Sequence, residues 1–93
     1  MPSLIDQADG FDWTDEIVDK LIRKHNVQTD EVEECFEHAG YVIRRIQDNL
    51  YYLYGQAQSG RYLFVVYVWR RRFIRVISAR DMTQQERRYY KRK

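Results

Sequence analysis

The side chains best able to do chemistry in this chain are its arginines, concentrated in the second half. Arg61, Arg70, Arg71, Arg72, Arg75 and Arg80 fall within one short stretch, and a guanidinium presents planar two-point donors that match a phosphate. Arg75 stands between Phe73 and Ile77, so in an extended segment it occupies an otherwise apolar stripe. A solvent-facing arginine on a half-exposed strand explains that placement equally well. The triplet 70–72 reads most simply as a solvated turn, with phosphate steering as the second reading. Lys24 and His25 close a helical stretch, where cations offset the carbonyl end of the helix dipole. Cys35 and His38 have ligand spacing, but two ligands do not make a zinc site and no second pair follows, so no metal is expected. Eight tyrosines and two tryptophans can stack nucleic-acid bases, although the same residues suit strands that bind nothing.

The net charge of +2 conceals an asymmetry. Residues 1–40 hold eleven acids against three bases, a balance of −8, and residues 41–93 hold thirteen bases against three acids, a balance of +10. Such a division suits a positive surface for phosphates, unless the two halves neutralise one another as salt bridges. The basic stretch 87–93 could touch nucleic acid without specificity. A length of 93 residues with 44% hydrophobic content supports a single core. The longest apolar run, 62–69, is far below the roughly 20 residues needed to cross a bilayer, so no membrane association is expected. One cysteine cannot form an internal disulfide and no basic, apolar leader is visible, so the expected location is cytoplasmic.

These side chains need elements to position them. Residues 1–10 lack periodicity and are expected to be a flexible leader to a single domain over 11–93, in which Phe11, Asp12 and Trp13 suit a short strand. Thr14 followed by Asp15 and Glu16 starts a helix, with Ile17, Val18, Leu21, Ile22 and His25 as its inner stripe over 15–25. Thr29, Asp30 and Glu31 start a second helix, whose stripe of Val32, Cys35, Phe36 and Ala39 runs until Gly40. Residues 41–46 and 50–54 form a hairpin around Asp48-Asn49, and Gly55 interrupts its second strand. Residues 62–69 are a central strand, 73–79 pair with it in antiparallel fashion, and Thr83-Gln84-Gln85-Glu86 is a capping box opening a last helix. The expected fold is α+β: two N-terminal helices, a twisted antiparallel sheet of three to four strands and a C-terminal helix.

Three pieces of the sequence together resemble the BrnT family. The first is Phe11-Asp12-Trp13, followed by a helix carrying Arg23-Lys24-His25 and then Val27. The second is the strand at Gly55 leading through Gly60-Arg61 into Leu63-Phe64-Val65-Val66-Tyr67. The third and most specific is Ile74-Arg75-Val76-Ile77-Ser78-Ala79-Arg80, followed by Met82-Thr83, Glu86-Arg87 and Tyr89 or Tyr90. The resemblance spans about Phe11 to Tyr90 and implies a RelE-like fold. It also implies an endoribonuclease of relaxed sequence preference that blocks translation, neutralised by a DNA-binding BrnA-like antitoxin. The chain departs from the family pattern at Leu21, where asparagine is usual, at Asn26, where glycine is usual, and at Leu50 and Gln56, where basic residues are usual.

Metal-independent RNA cleavage needs a base for the ribose 2′-hydroxyl, cationic donors for the phosphate and a proton for the leaving oxygen. On the resemblance, Arg75, Arg80 and Lys24 are the expected catalytic cations, and Arg61, Arg70 and Arg72 the expected RNA contacts, with no cofactor. For Arg80 the competing reading is a cation near the last helix that needs an acid such as Asp81, and for Lys24 it is a helix end. RNA and the antitoxin are the expected partners, with a homodimer through an exposed edge strand left open. The departures keep a second function in view: a non-catalytic RNA- or protein-binding domain on the same scaffold.

Overall fold

The computed structural model of the chain describes residues 7–38 and 40–93. Its elements run β1 (Gly10–Phe11), α1 (Asp15–His25), α2 (Thr29–Glu37), β2 (Val42–Gln47), β3 (Leu50–Gln56), β4 (Tyr62–Arg70), β5 (Phe73–Asp81) and α3 (Gln84–Arg92). The sheet has five strands in the order β1-β5-β4-β3-β2, where the sequence led us to expect three to four. The added strand, β1, falls at the start of the expected short strand over 11–13, covers only Gly10–Phe11 and runs parallel to β5. The remaining pairs are antiparallel, including β4 with β5.

Two expectations about the N-terminal part change. Residues 1–6 of the expected leader, and Ala39 of the expected α2 stripe, lie outside the described residues. The rest of the leader is held in place: Ala8 packs on the core, the Asp9 N–H donates to the Arg72 carbonyl at 2.7 Å, and the Asp9 carboxylate accepts from Arg72 at 3.1 Å. Helix α2 ends at Glu37 rather than at Gly40, with His38 already extended at φ −81° and ψ 121°.

The helices begin where their caps dictate. Thr14 Oγ1 accepts from the Ile17 N–H at 3.3 Å, and Thr83 and Glu86 exchange side-chain and backbone bonds at the start of α3. Helix α1 ends in Asn26, whose φ of 53° is left-handed. Asparagine tolerates that conformation almost alone among residues with a side chain, so its replacement of the usual glycine has a backbone reason.

Helices α1 and α2 cover one face of the sheet. Leu21, Val27, Val32, Cys35 and Phe36 close over Leu53, Leu63, Val65, Tyr67, Ile74, Val76 and Ala79, with Leu21 and Phe36 fully buried. Gly55 does not interrupt β3, which continues to Gln56. A Cβ at Gly55 would stand 3.0 Å from the Cys35 Cβ and 3.2 Å from its carbonyl, so the missing side chain lets α2 approach the sheet. The opposite face carries a smaller, aromatic cluster of Tyr54, Phe64 and Met82, against which Tyr52, Tyr62, Tyr89 and Tyr90 pack.

A bulge decides which arginines share a face. Val66 pairs with Ser78 and Tyr67 with Val76, leaving Ile77 as an extra residue in β5. Strict alternation would turn Arg75 and Arg80 to opposite faces. With one residue inserted between them, Ile74, Val76 and Ala79 all face α1 and α2, while Arg75 and Arg80 both face the α3 side.

Candidate nucleic-acid interface

On the α3 side, the aromatic cluster opens into a cleft of about 530 Å³ lined by Arg44, Tyr52, Tyr54, Phe64, Thr83, Gln85, Glu86, Tyr89 and Arg92. The register explains the assembly: Arg44 lies opposite Tyr52, Tyr54 opposite Phe64, and Phe64 opposite Arg80. One rung of the sheet therefore runs Val42, Tyr54, Phe64 and Arg80, and Arg44 stands one rung along, opposite Tyr52. Tyr54 meets Phe64 at 5.3 Å and Tyr89 at 4.9 Å between ring centroids, and the Arg80 guanidinium lies 4.5 Å above the Phe64 ring. Arg44 donates to the Tyr54 hydroxyl at 3.5 Å and covers the Tyr89 ring at 5.5 Å.

Two kinds of cation line this face. Arg80 forms a fork with Glu86, donating at 2.8 and 2.9 Å, which holds the Glu86 carboxyl below the usual carboxylate range and the guanidinium above its ordinary value. Its Nη1 also reaches the Asp81 carbonyl at 3.1 Å, leaving the Nε hydrogen and one Nη2 hydrogen for another acceptor. Arg44 and Arg92 meet no carboxylate among the described residues. The hydroxyl of Tyr54 raises the pKa of Arg44, so its charge is secure at any physiological pH.

The match to known proteins bears on this arrangement. Residues 13–86 match the family model described as "Ribonuclease toxin, BrnT, of type II toxin-antitoxin system". The chain belongs to the BrnT family. Among solved structures, it is similar to the Brucella abortus ribonuclease toxin BrnT, determined by crystallography at 1.1 Å resolution, with a TM-score of 0.67 and 17% identity over 81% of this chain and 97% of that one. At that identity, the likeness establishes the shared fold. No curated protein matches the chain's sequence.

Within this BrnT-family fold, the expected site residues do not gather at one point. Arg80 is at the cleft. Arg75 shares its sheet face, but its partner Val68 lies four residues along β4 from Phe64, about 13 Å away at strand rise. Arg75 is also engaged, donating to Asp12 Oδ2 at 2.7 and 3.1 Å. Lys24 is exposed in the last turn of α1, in the layer on the other side of the sheet. Arg70 lies 4.0 Å from Asp12 and Arg72 3.1 Å from Asp9, both largely exposed. The acidic N-terminal half thus neutralises part of the basic half, along the β1–β5 edge.

Arg61 has a different occupation. Its Nε and Nη2 donate to Asp81 at 2.6 and 3.1 Å, Nη1 to the Asn26 carbonyl at 2.7 Å and to Glu31 at 3.2 Å, and Nη2 to the His25 carbonyl at 2.9 Å. All five N–H groups are spent on joining the end of α1, the start of α2 and the end of β5. Gln56, where the family usually carries a basic residue, braces the next turn by donating to the Gly60 carbonyl at 3.0 Å. Cys35 is fully buried between α2 and β3, where burial pushes its thiol up to about 12, while His38 is exposed at the helix end.

Arg44 and Glu86 are cleft residues the sequence did not single out, whereas Tyr54 and Arg92 stood out only as members of the stacking tyrosines and of the basic stretch 87–93. The signal for Arg44 was weak because β2 reads Val-Ile-Arg-Arg-Ile-Gln, which does not alternate. No helix among the described residues is long and apolar enough to cross a membrane.

Proposed function

We propose that this chain is a toxin of a type II module that cleaves single-stranded RNA at the α3-side cleft without a metal ion, thereby blocking translation. The observation that carries this reading is the contact cluster of Arg44, Tyr54, Phe64 and Arg80, which combines phosphate donors with rings able to stack bases. Arg44 and Arg92 supply charge free of carboxylate partners among the described residues, and Arg80 adds two donors at a position fixed by Glu86. Guanidiniums that stabilise a crowded phosphorane do the electrostatic work a metal would otherwise do. Arg75 and Lys24, expected from the sequence to act at the same phosphate, have at most a steering role in this scheme. RNA is the substrate, and a DNA-binding BrnA-like antitoxin is the neutralising partner in the cytoplasm.

The test is cleavage of a single-stranded RNA by the purified chain, with and without chelator. Arg44→Ala and Arg80→Ala should each lower the rate by about 10²–10³-fold, the cost of losing a donor to developing charge. Chelator should change nothing, and induction in a bacterium should arrest growth unless the antitoxin is coexpressed. Folded wild-type protein that binds RNA but leaves it intact would establish the non-catalytic binding domain instead.

A further inference from the structure

Cleavage by attack of a ribose 2′-oxygen leaves one requirement that arginines do not meet. The departing 5′-oxygen needs a proton, and a guanidinium holds its own far too tightly to give one up. The histidines and the cysteine are placed elsewhere. The chain has two histidines: His25 ends α1 and His38 follows α2, both in the layer across the sheet from the cleft. Cys35 is buried beneath that same layer. Glu86 is an ionised carboxylate committed to Arg80 and to the Thr83 N–H, with no proton to offer at neutral pH.

Three tyrosines line the cleft, and they differ in how cations reach them. Tyr89 meets Arg44 and Lys93 at its ring face, at 5.5 and 5.4 Å. No cation hydrogen-bonds to the Tyr52 hydroxyl among the described residues. Tyr54 is 4% exposed, its ring is fixed between Phe64 and Tyr89, and its hydroxyl accepts from the Arg44 guanidinium at 3.5 Å. Arg80 lies over the Phe64 ring on the next strand, with its guanidinium paired to Glu86. A phenol carries a proton it can give, and the phenolate it leaves behind faces the Arg44 guanidinium.

We infer that the Tyr54 hydroxyl is the general acid of RNA cleavage by this chain. The inference rests on the reading of the cleft as an RNA-cleaving site. The 2′-oxygen forms a bond to phosphorus, and its proton passes to solvent water. The bond from phosphorus to the 5′-oxygen breaks, its electron pair stays on that oxygen, and the oxygen takes the Tyr54 proton. The products are a 2′,3′-cyclic phosphate and a 5′-hydroxyl end. The phenolate, held by Arg44, regains a proton from water before the next turnover.

A leaving group that needs no proton separates this role from a structural one. The purified full chain is given two oligoribonucleotides, one ordinary and one with the bridging 5′-oxygen at a single linkage replaced by sulfur, which departs readily as a thiolate. Tyr54→Phe keeps the ring and its neighbours, so thermal unfolding should match the wild type. Its cleavage of the ordinary linkage should fall by about 10²–10⁴-fold, the span of general acid catalysis, and that of the sulfur linkage by less than about tenfold. Arg44→Ala, on an exposed side chain that folding does not need, should also lose more on the oxygen linkage than on the sulfur one. Equal losses on both linkages, or full activity of Tyr54→Phe on ordinary RNA, would overturn the role of Tyr54 while leaving the cleft an RNA-cleaving site. Folded wild-type protein inert on both substrates would remove that site and this role together.

Discussion

The two faces of the sheet solve different problems with different side chains. The face under α1 and α2 is closed by aliphatic residues around the buried rings of Phe36 and Tyr67, several with no exposure at all, and no charged side chain is buried there among the described residues. The face under α3 is built from tyrosines, Phe64 and arginines, and no residue of α3 is buried. Closed apolar packing excludes water and supplies stability. Aromatic rings with cations above them hold a helix in place more loosely and leave polar groups within reach of a ligand. Neighbouring residues tie down both faces: Asp81 accepts from Arg61, which clamps α1 and α2, and Arg80 pairs with Glu86 of α3.

The contrast is sharpest for a ring removed from each face. Phe36→Ala should cost about 3–5 kcal/mol of stability in chemical denaturation, because it opens a cavity in a closed core. Tyr89→Ala should cost only about 1 kcal/mol, the scale of a lost ring pair, while weakening RNA binding. Equal stability losses would mean that the α3 face is as much a core as the other.

Arg61→Ala comes next, with an expected loss of about 2–3 kcal/mol from severed charge-assisted hydrogen bonds, and Arg61→Lys should restore only part because one ammonium cannot serve all these acceptors. RNA cleavage per folded molecule should be unchanged. A variant that keeps its stability but loses RNA affinity would return Arg61 to the RNA-binding surface.

The two carboxylates give a smaller, pH-dependent effect. Hydrogen bonds from Arg61 and from Arg80 hold Asp81 and Glu86 below their ordinary values. A carboxyl depressed in the folded state adds stability above its unfolded-state pKa and loses that contribution as pH falls through the folded value. Wild-type stability should therefore drop as the pH is lowered below roughly 4. Asp81→Asn with Glu86→Gln should be less stable at neutral pH and show a flatter acid limb, and an unchanged limb would remove these pairs from the account. The smallest change is at the β4–β5 turn, where Arg71 has a φ of 58°. Arg71→Gly should relieve a strain of up to about 1 kcal/mol and raise Tm by a few degrees without touching either face.

The chain's local chemistry determined much by itself. The cap at Thr14 and the capping box at Thr83 and Glu86 are local patterns that survive folding because their partners lie within one helical turn, whereas of the expected α1 stripe Leu21 is buried and Ile22 is 41% exposed. The pairing of β4 with β5 was legible for the same reason, since only a tight turn separates them. The family resemblance on residues 74–80 singled out Arg80, which stands at the cleft. Tertiary structure alone decided the rest. The extra residue at Ile77 turned Arg75 and Arg80 to one face, a change that no strict alternation contains. Gly10–Phe11 became a strand only because β5 offered it an edge. Arg44, paired with Tyr52 in the register, reached diagonally to the Tyr54 hydroxyl, and Arg61 found its acceptors on three elements far apart in sequence. A guanidinium looks the same in sequence whether its donors are spent or free, because only the folded chain settles which carboxylates and carbonyls lie within three ångströms of it.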